Sequence, residues 1–449
     1  RNIATAPGLK GEVWVSLGKE GLWKTSDGGH HFTRITSIQT AKFISWGAPA
    51  PGTTTPTSWC YGTMDDKWGM YRSTDMGSSW VRVNDNQHHF PGGVKAIAGD
   101  RNVFGRIFIG SGGCGVYYGE PAEIVKKEVN APKLSDPKSF TWIVLPDPQT
   151  YTKFGRNQAL FELMTAWIKD QKKNLNIQMV LCEGDLVEQN DITFPDSING
   201  DQTSEEQWKS VSAAFNNLDG FVPYILCTGN HDLGIKSAEN RQSRFSTYFT
   251  PDRNPLNRKI LVEMAPNGQG KKTLENSCYE WHSPAGQSFL IFSLEFAPRL
   301  ETLSWAKALA ASPAYKNHIG VVLTHSYINS KGELISREKY RLEGANYGET
   351  IWTELVEPSS NIGFVLSGHV ADSESHRGQV GYRKAPNRAG MDVHQMMFNA
   401  QREGGGWHGN GGDGWLRIME FLPDLKTVKV STFSPLFFIS PSTRHLSWR

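Results

Sequence analysis

Side chains of the types that can bind metal ions follow five apolar runs in the part of the chain after residue 140. Asp147 and Gln149 come after TWIVL, Asp185 after IQMVLC, Asn230 and His231 after VPYILC, His325 after IGVVLT, and His369 after IGFVLS. Carboxylate, imidazole and amide oxygen are the ligands that hard and borderline divalent metals take in proteins. We therefore predict a metal centre built from Asp147, Gln149, Asp185, Asn230, His325 and His369.

Such a ligand set suits the hydrolysis of a phosphate ester. A carboxylate such as Asp185 can bridge two ions about 3.5–4 Å apart, and a water molecule bound between them becomes acidic enough to attack phosphorus. The paired charges would also stabilise the negative charge that develops on the phosphoryl oxygens.

The elements that carry these residues alternate between strands and helices. The five runs, with FLIFSL at 289–294, read as buried strands, and amphipathic patterns predict helices at 157–173, 204–218, 302–311 and 348–356. Strands buried between layers are continuously apolar, and the loops at their carboxyl ends are common places for active sites. The polar residues are therefore expected to meet at one edge of the fold.

The order GD, GNHD, H and GH, with each motif at the end of a predicted strand, resembles the calcineurin-like metallophosphoesterase superfamily over residues 140–449. The resemblance implies an α+β domain of four layers, αββα. It also implies that Asp147 and Asp185 hold the first metal, with Asp185 bridging, and that Asn230, His325 and His369 complete the second. His231 would not be a ligand but the catalytic residue that protonates or stabilises the leaving oxygen, and Asp232 would orient it.

Two positions depart from the superfamily pattern. Gln149 stands where the first loop usually has histidine, and Ala371 stands where the last loop has its second histidine. Both missing imidazoles belong, by resemblance, to the first metal site, which then favours an ion that accepts oxygen ligands over zinc. Asp372 or His376 is a candidate substitute ligand. We expect one or two divalent ions, with Fe, Mn, Zn, Mg and Ca all open.

A glycine-rich segment at 392–421 supplies three candidate substrate-binding residues, His394, Arg402 and His408. Arginine is favoured because its planar fork matches phosphate oxygens. For the histidines the alternatives stay open, since His394 can alternate within a strand and His408 can lie in a surface loop. The segment also looks like the C-terminal part of secreted bacterial phosphoesterases, which implies a secreted, extracellular protein.

Residues 1–119 have a different character, with short alternating runs that predict an all-β module. One octet, [S/T]-x-D-x-G-x-x-[F/W], occurs at 25–32 and at 73–80. It resembles the Asp box of sialidases, and the stretch resembles the C-terminal propeller blades of xyloglucan-cleaving glycoside hydrolases. Asp27 and Asp75 are interpreted as turn residues. Two blades cannot close a ring that usually needs four to eight. Residues 120–139, with three prolines, are interpreted as a linker.

Composition limits the classes of protein and partner. A length of 449 residues favours two domains, and a net charge of +2 provides no broad electrostatic footprint for nucleic acid. No apolar stretch reaches the roughly 20 residues of a membrane helix. The chain starts at Arg1, which we interpret as processing or truncation. The five cysteines do not form a disulfide pattern, and Cys182 and Cys227 are expected to be buried thiols.

Two functions follow from these observations. The first is a secreted metal-dependent phosphoesterase that acts on a phosphate mono- or diester. The alternative is an extracellular glycan-binding or structural protein with a degenerate phosphoesterase fold, which assembles as a homo-oligomer by completing its propeller between chains. A glycoside hydrolase is a weaker third interpretation, because its catalytic carboxylate pair would need further blades.

Overall fold

The computed structural model describes residues 2–84, 90, 93–113, 115–119, 121, 131–196, 199–371 and 376–439. Contacts divide the chain into two compact units, Arg1–Lys126 and Lys127–Arg449. The predicted linker spans this division, and most of its first half lies outside the described residues, as does Cys114.

The N-terminal unit contains antiparallel sheets, and two of them carry the octet in the same place. The strands are β1 (Asn2–Thr5), β2 (Val13–Ser16), β3 (Leu22–Thr25), β4 (Thr33–Ile35), β5 (Thr40–Gly47), β6 (Thr57–Met64), β7 (Lys67–Ser73), β8 (Val81–Arg82), β9 (Val94–Gly99), β10 (Ile107–Ser111) and β11 (Val116–Gly119). The sheet orders are β1-β2-β3-β4, β5-β6-β7-β8 and β11-β10-β9. Each octet joins the third and fourth strands of a four-stranded sheet, as in a propeller blade. The third sheet was not predicted separately.

The octet folds as a hydrogen-bonded turn. Asp75 Oδ1 accepts from the Ser79 backbone N–H at 2.9 Å and from Ser73 Oγ at 2.7 Å, and Asp27 forms the equivalent bonds in the first octet. Gly77 has a φ of +84°, and a Cβ there would lie 2.8 Å from Cη2 of the buried Trp14. Glycine is therefore required both by the backbone conformation and by the packing behind the turn.

The second unit contains a five-stranded and a seven-stranded sheet. The strands are β12 (Phe140–Leu145), β13 (Ile177–Cys182), β14 (Tyr224–Leu226), β15 (Leu261–Pro266), β16 (Lys272–His282), β17 (Ser288–Ser293), β18 (Ile319–Leu323), β19 (Ile362–Ser367), β20 (Val380–Pro386), β21 (Asp392–Phe398), β22 (Leu416–Phe421) and β23 (Val428–Phe433). The sheet orders are β14-β13-β12-β22-β23 and β15-β16-β17-β18-β19-β21-β20. Strands β12 to β14 are parallel in the first sheet, as are β17, β18, β19 and β21 in the second.

The described part of the second unit also contains α-helices. They are α1 (Gln149–Thr152), α2 (Gln158–Gln171), α3 (Ser204–Asn216), α4 (Phe245–Tyr248), α5 (Pro255–Ile260), α6 (Leu300–Ala310), α7 (Gly348–Ile351) and α8 (Pro435–Ile439). The main core contains the apolar sides of α2 and α3 together with residues of both sheets, such as Trp142 and Phe289, whose ring centroids are 4.9 Å apart. A second core packs α6 and a π-helix (Trp352–Val356) on the other face of the seven-stranded sheet. This confirms the αββα layers.

The predicted elements are present with small changes at their ends. Helix 157–173 is observed as α2 after a 3₁₀ turn (Gly155–Asn157), and helix 348–356 divides into α7 and the π-helix. Cys182 and Cys227 are buried and free, as expected; Cys182 ends β13, and Cys227 directly follows the neighbouring parallel strand β14. Among the described residues, no helix combines the length and apolar character needed to cross a membrane.

Candidate active site and metal centre

Four predicted ligands converge from loops that follow four different strands. His325 Nε2 lies 3.1 Å from Asp185 Oδ2, 3.1 Å from Asn230 Oδ1 and 3.2 Å from His369 Nδ1. One ligand atom each of Asp185, His325 and His369 lies within 4.8 Å of the other two. Because β13 and β14 belong to one sheet and β18 and β19 to the other, the cluster lies where the carboxyl ends of both sheets meet.

Asp147 and Gln149 lie beside this cluster and are both buried. Asp147 Oδ2 accepts from Asn399 Nδ2 at 2.6 Å and from the His369 backbone N–H at 3.1 Å. Gln149 Nε2 donates to Gln401 Oε1 at 2.8 Å, whereas its own Oε1 is buried without a hydrogen-bond partner. Buried carbonyl oxygens are normally satisfied. The orphaned oxygen therefore fits a cation at the first site.

The electrostatics also fit bound cations. Burial and the charge of Asp185 raise the pKa of Asp147 to about 8, even though His325 acts in the opposite direction. Burial opposes ionisation of Asp185 as well, but His325 and His231 outweigh it and lower its pKa to about 2. Two buried carboxylates that repel each other cannot both ionise easily without a positive charge nearby. Ala371 offers no ligand, and Asp372 and the side chain of His376 lie outside the described residues.

The loops approach the ligands through unusual backbone conformations. Asp185 and His369 have φ angles of 50° and 68°, in the left-handed region. A Cβ on Gly229 would collide with the Asp185 carboxylate, and one on Gly368 would collide with that of Asp147. The glycines of GNHD and GH are thus needed because the backbone passes directly against the ligand side chains.

The structure corrects the role predicted for Asp232. The imidazole Nδ1 of His231 lies 2.6 Å from the backbone carbonyl of Glu188, which can only accept a hydrogen bond. Asp232 instead accepts from the backbone N–H groups of Gly229 at 2.7 Å and Val187 at 3.2 Å. Asp232 therefore stabilises the backbone of the loops at Gly229 and Val187, while the Glu188 carbonyl orients His231. The His231 backbone N–H also donates to Asp185 Oδ1 at 2.8 Å, so the residue is fixed to the cluster.

A buried lysine beside His231 was not predicted. The Lys153 side chain is fully buried, and its Nζ has no hydrogen-bond partner. It lies 3.9 Å from Glu188 Oε2 and 3.7 Å from the ring centroid of Trp407, whose ring is 6.3 Å from that of His231. Burial lowers the pKa of Lys153 and raises that of Glu188, each to about 8. The sequence signal that could have identified Lys153 is its position, four residues after the proposed ligand Gln149.

Glu338 is a further residue that the motifs did not reveal. Its Oε1 lies 3.2 Å from His369 Nε2 and accepts from Ser326 Oγ at 3.1 Å. Since His369 Nδ1 faces His325, the Glu338 carboxylate contacts the opposite ring nitrogen, Nε2, and fixes the orientation of the imidazole. Carboxylates that bond the second imidazole nitrogen commonly orient metal-binding histidines.

The three candidate substrate-binding residues separate into two groups. Arg402 and His408 are exposed on the loop that carries Trp407, with the Arg402 guanidinium 5.7 Å from the Trp407 ring centroid. His394 is not brought to the cluster, which corrects the predicted substrate contact. It lies within β21 opposite Phe364, and its Nδ1 is 2.9 Å from the Tyr382 hydroxyl. Its position is four residues before the end of the strand, away from the loops that hold the ligands.

Comparison with known proteins relates the two units to different relatives. The calcineurin-like phosphoesterase family model matches residues 143–373. The uncharacterized protein YvnB of Bacillus subtilis is 28% identical over 316 residues, covering 70% of this chain and 21% of that protein. In the N-terminal region, a probable oligoxyloglucan-reducing end-specific xyloglucanase of Neosartorya fischeri is 42% identical over 131 residues, covering 27% of this chain and 16% of that protein.

A solved structure, the GH74 enzyme of Niastella koreensis, is 35% identical and covers 26% of this chain and 17% of its own, with a TM-score of 0.25. The chain thus spans only 21% of YvnB and 16% of the Neosartorya protein. The N-terminal sheets resemble xyloglucanase propeller blades in sequence. The family match extends over more than half of the chain and contains all six predicted ligand positions, so the chain belongs to the calcineurin-like phosphoesterase family.

Proposed function

We propose that this protein hydrolyses phosphate mono- or diesters with the help of one or two divalent metal ions. The observation that carries the proposal is the convergence of Asp185, Asn230, His325 and His369 from both sheets. These residues would hold one ion, and Asp147, Asp185 and the Gln149 amide oxygen would hold the other. When bound, such ions polarise a phosphoryl group and activate water.

His231 is positioned to handle the proton of the leaving group. Because the Glu188 carbonyl accepts from Nδ1, the proton that can be transferred is the one on Nε2. In the imidazolium form, His231 donates this proton to the oxygen of the departing alcohol, which then leaves as a neutral molecule. Burial lowers the pKa of His231, which favours release of the proton.

The Trp407 loop forms the proposed substrate side of the site. Lys153 Nζ near His231 has an ion-pair partner in Glu188 but no hydrogen-bond partner, and Arg402 is exposed on the loop that carries Trp407. Cations in this position would bind the nonbridging oxygens of the phosphate group, with the guanidinium offering a bidentate contact.

The test combines elemental analysis with turnover of aryl phosphates and aryl phosphodiesters by the full chain. We expect wild type to retain a divalent metal after dialysis and to hydrolyse at least one class of ester. Asp185→Asn should lose both properties, whereas the exposed Asp170→Asn should lose neither. If metal-loaded wild type hydrolyses neither class, or if Asp185→Asn is as active as wild type, the proposal is wrong.

We also propose that the N-terminal unit binds a glycan, which would place the protein outside the cell. Its sequence resembles xyloglucanases, and Tyr118 and Phe108 form an exposed pair with ring centroids 6.2 Å apart. Sugar rings stack on such aromatic faces. Calorimetric titration with xyloglucan oligosaccharides should show binding that Tyr118→Ala weakens.

We further propose that copies of the chain assemble through the incomplete propeller. Size-exclusion mass measurement tests this proposal, which is wrong if the chain is a monomer.

A further inference from the structure

A second group of metal-binding side chains lies at the opposite end of the seven-stranded sheet. Glu280 Oε1 lies 2.8 Å from His318 Nε2 and 3.5 Å from His282 Nε2. One ligand atom of each residue lies within 4.8 Å of the others. His318 immediately precedes β18, whereas His325 of the first centre follows that strand. The two groups therefore share no residue and lie beyond opposite ends of the same strand.

The backbone ladder brings the three residues together. Glu280 and His282 are two positions apart on β16, so their side chains project from the same face of the sheet. His282 pairs with Ser288 at the start of β17, and β17 lies between β16 and β18. Since β18 begins one residue after His318, the group spans three adjacent strands.

The hydrogen bonds of the group direct both imidazole Nε2 atoms towards Glu280. The Ser288 hydroxyl lies 2.9 Å from His282 Nδ1, which orients Nε2 towards Glu280. A hydrogen bond on the second nitrogen is the usual way in which metal-binding imidazoles are oriented. In the described part of the chain, the buried Nδ1 of His318 has no partner. Because the Glu280 carboxylate can only accept a hydrogen bond, it holds the His318 proton on Nε2 when no metal is bound. A cation would displace that proton to Nδ1, where no hydrogen-bond partner competes for it, and Nε2 would then present its lone pair.

We propose that Glu280, His282 and His318 form a second metal site, for a borderline divalent ion of the zinc type. Two imidazoles and one carboxylate are a ligand set that zinc accepts, with a fourth position left for water. Magnesium and calcium prefer more oxygen ligands. His282 is well exposed, with 65% of its side-chain surface accessible, so an ion can enter from solvent. Bound there, the ion would join the end of β16 to the start of β18.

The test measures zinc binding by the full chain after treatment with a chelator. Asp185→Asn weakens the first centre and isolates the second. In calorimetric titration we expect this variant to bind a zinc equivalent that is lost in the Asp185→Asn/His282→Ala double variant. Zinc should also raise the Tm of Asp185→Asn, and this shift should disappear in the double variant.

Controls separate a specific site from general binding by histidine. His30→Ala, which removes an exposed imidazole from the N-terminal unit, should leave the zinc equivalent unchanged. His318→Ala should abolish it. If the loss of the largely buried His318 side chain unfolds the protein, His282→Ala still tests the site, because His282 is exposed. Phosphoesterase turnover should be unaffected by His282→Ala. Equal zinc binding by Asp185→Asn and the double variant would overturn the proposal.

Discussion

In the proposed first metal site, Gln149 would determine which ions are preferred. Its amide nitrogen is engaged by Gln401, so its oxygen is the atom directed away from a protein partner. An amide oxygen is a neutral, hard ligand, whereas imidazole is a borderline one. The exchange of histidine for glutamine therefore changes the preference of the site and does not by itself remove the site.

Removal of the Gln149 amide oxygen should weaken metal binding at one of the two proposed positions. We expect Gln149→Ala to bind one ion at least about tenfold more weakly, because a ligand is lost, while the second site keeps its affinity. Metal content after dialysis and calorimetric titration measure the change. Gln178→Ala, a partly exposed position on β13, is the control. Unchanged metal binding would exclude Gln149 as a ligand.

The leaving group should determine how strongly the reaction depends on His231. We expect His231→Ala to lower kcat about 100-fold or more for an alkyl phosphate, within the range typical of general acids. The loss should be much smaller for p-nitrophenyl phosphate, because nitrophenolate leaves without a proton. His30→Ala serves as the control. An equal loss for both esters would contradict a role in proton transfer.

The buried Lys153 should serve substrate binding at the expense of stability. Burial of an ion pair is often less favourable than burial of apolar groups, by about 1–4 kcal/mol. Removal of Lys153 alone leaves the Glu188 carboxyl buried without its cation, so we expect Lys153→Met to lower the Tm and the Lys153→Met/Glu188→Leu double variant to keep or raise it. Both variants should raise KM for phosphate esters more than they lower kcat. Lys169→Met, on the exposed side of α2, is the matched control. A lower Tm with unchanged KM would indicate that Lys153 is structural.

At the scale of elements, the sequence predicts where strands end. It does not predict which residues from distant segments contact each other. Each proposed ligand follows an apolar run, so the strand pattern predicted that these side chains lie together at one edge of the fold. Asn399 contacts Asp147 across 252 positions of sequence, and no local pattern reports such a contact. His394 shows the converse, since an imidazole near a glycine-rich loop suggested a substrate contact, but the register of β21 places it opposite Phe364.

The Asp-box turns should make the N-terminal unit sensitive to acid. Burial raises the pKa of Asp75, but hydrogen bonds from Ser79 and Ser73 outweigh it and the net pKa is lowered. A lowered folded-state pKa means that the stabilising effect is present above the unfolded value of about 3.8 and is lost as pH falls through the folded value.

We therefore expect Asp75→Asn to lower the Tm of the N-terminal unit at pH 6 and to differ less from wild type as pH falls below about 3.8. Thermal denaturation followed by tryptophan fluorescence measures the difference. Asp66→Asn, an exposed aspartate on a neighbouring turn, is the control. A difference that grows on acidification would contradict the assignment.

At the scale of the whole molecule, each unit has its own core. Trp14, Trp46 and Cys60 belong to a core of the N-terminal unit, and Trp142 and Phe289 belong to the main core of the phosphoesterase unit. The division at 126/127 places an apolar core on each side. Two cores of this kind can unfold in separate steps.

Scanning calorimetry should resolve this arrangement. We expect two transitions. A chelator should lower the midpoint temperature of the phosphoesterase unit only, because metal binding stabilises the unit that binds the metal. Gly77→Ala should lower only the other, since its Cβ would meet Trp14 at 2.8 Å. Equal shifts of both transitions by either change would contradict independent unfolding.

The left-handed backbone at Asp185 and His369 affects how this sequence can evolve. Such conformations cost about 1–3 kcal/mol each in residues other than glycine. Exchange of His369 for glycine would relieve that strain and remove a ligand in the same step. Drift without a need for metal binding would therefore move towards a more stable and inert chain.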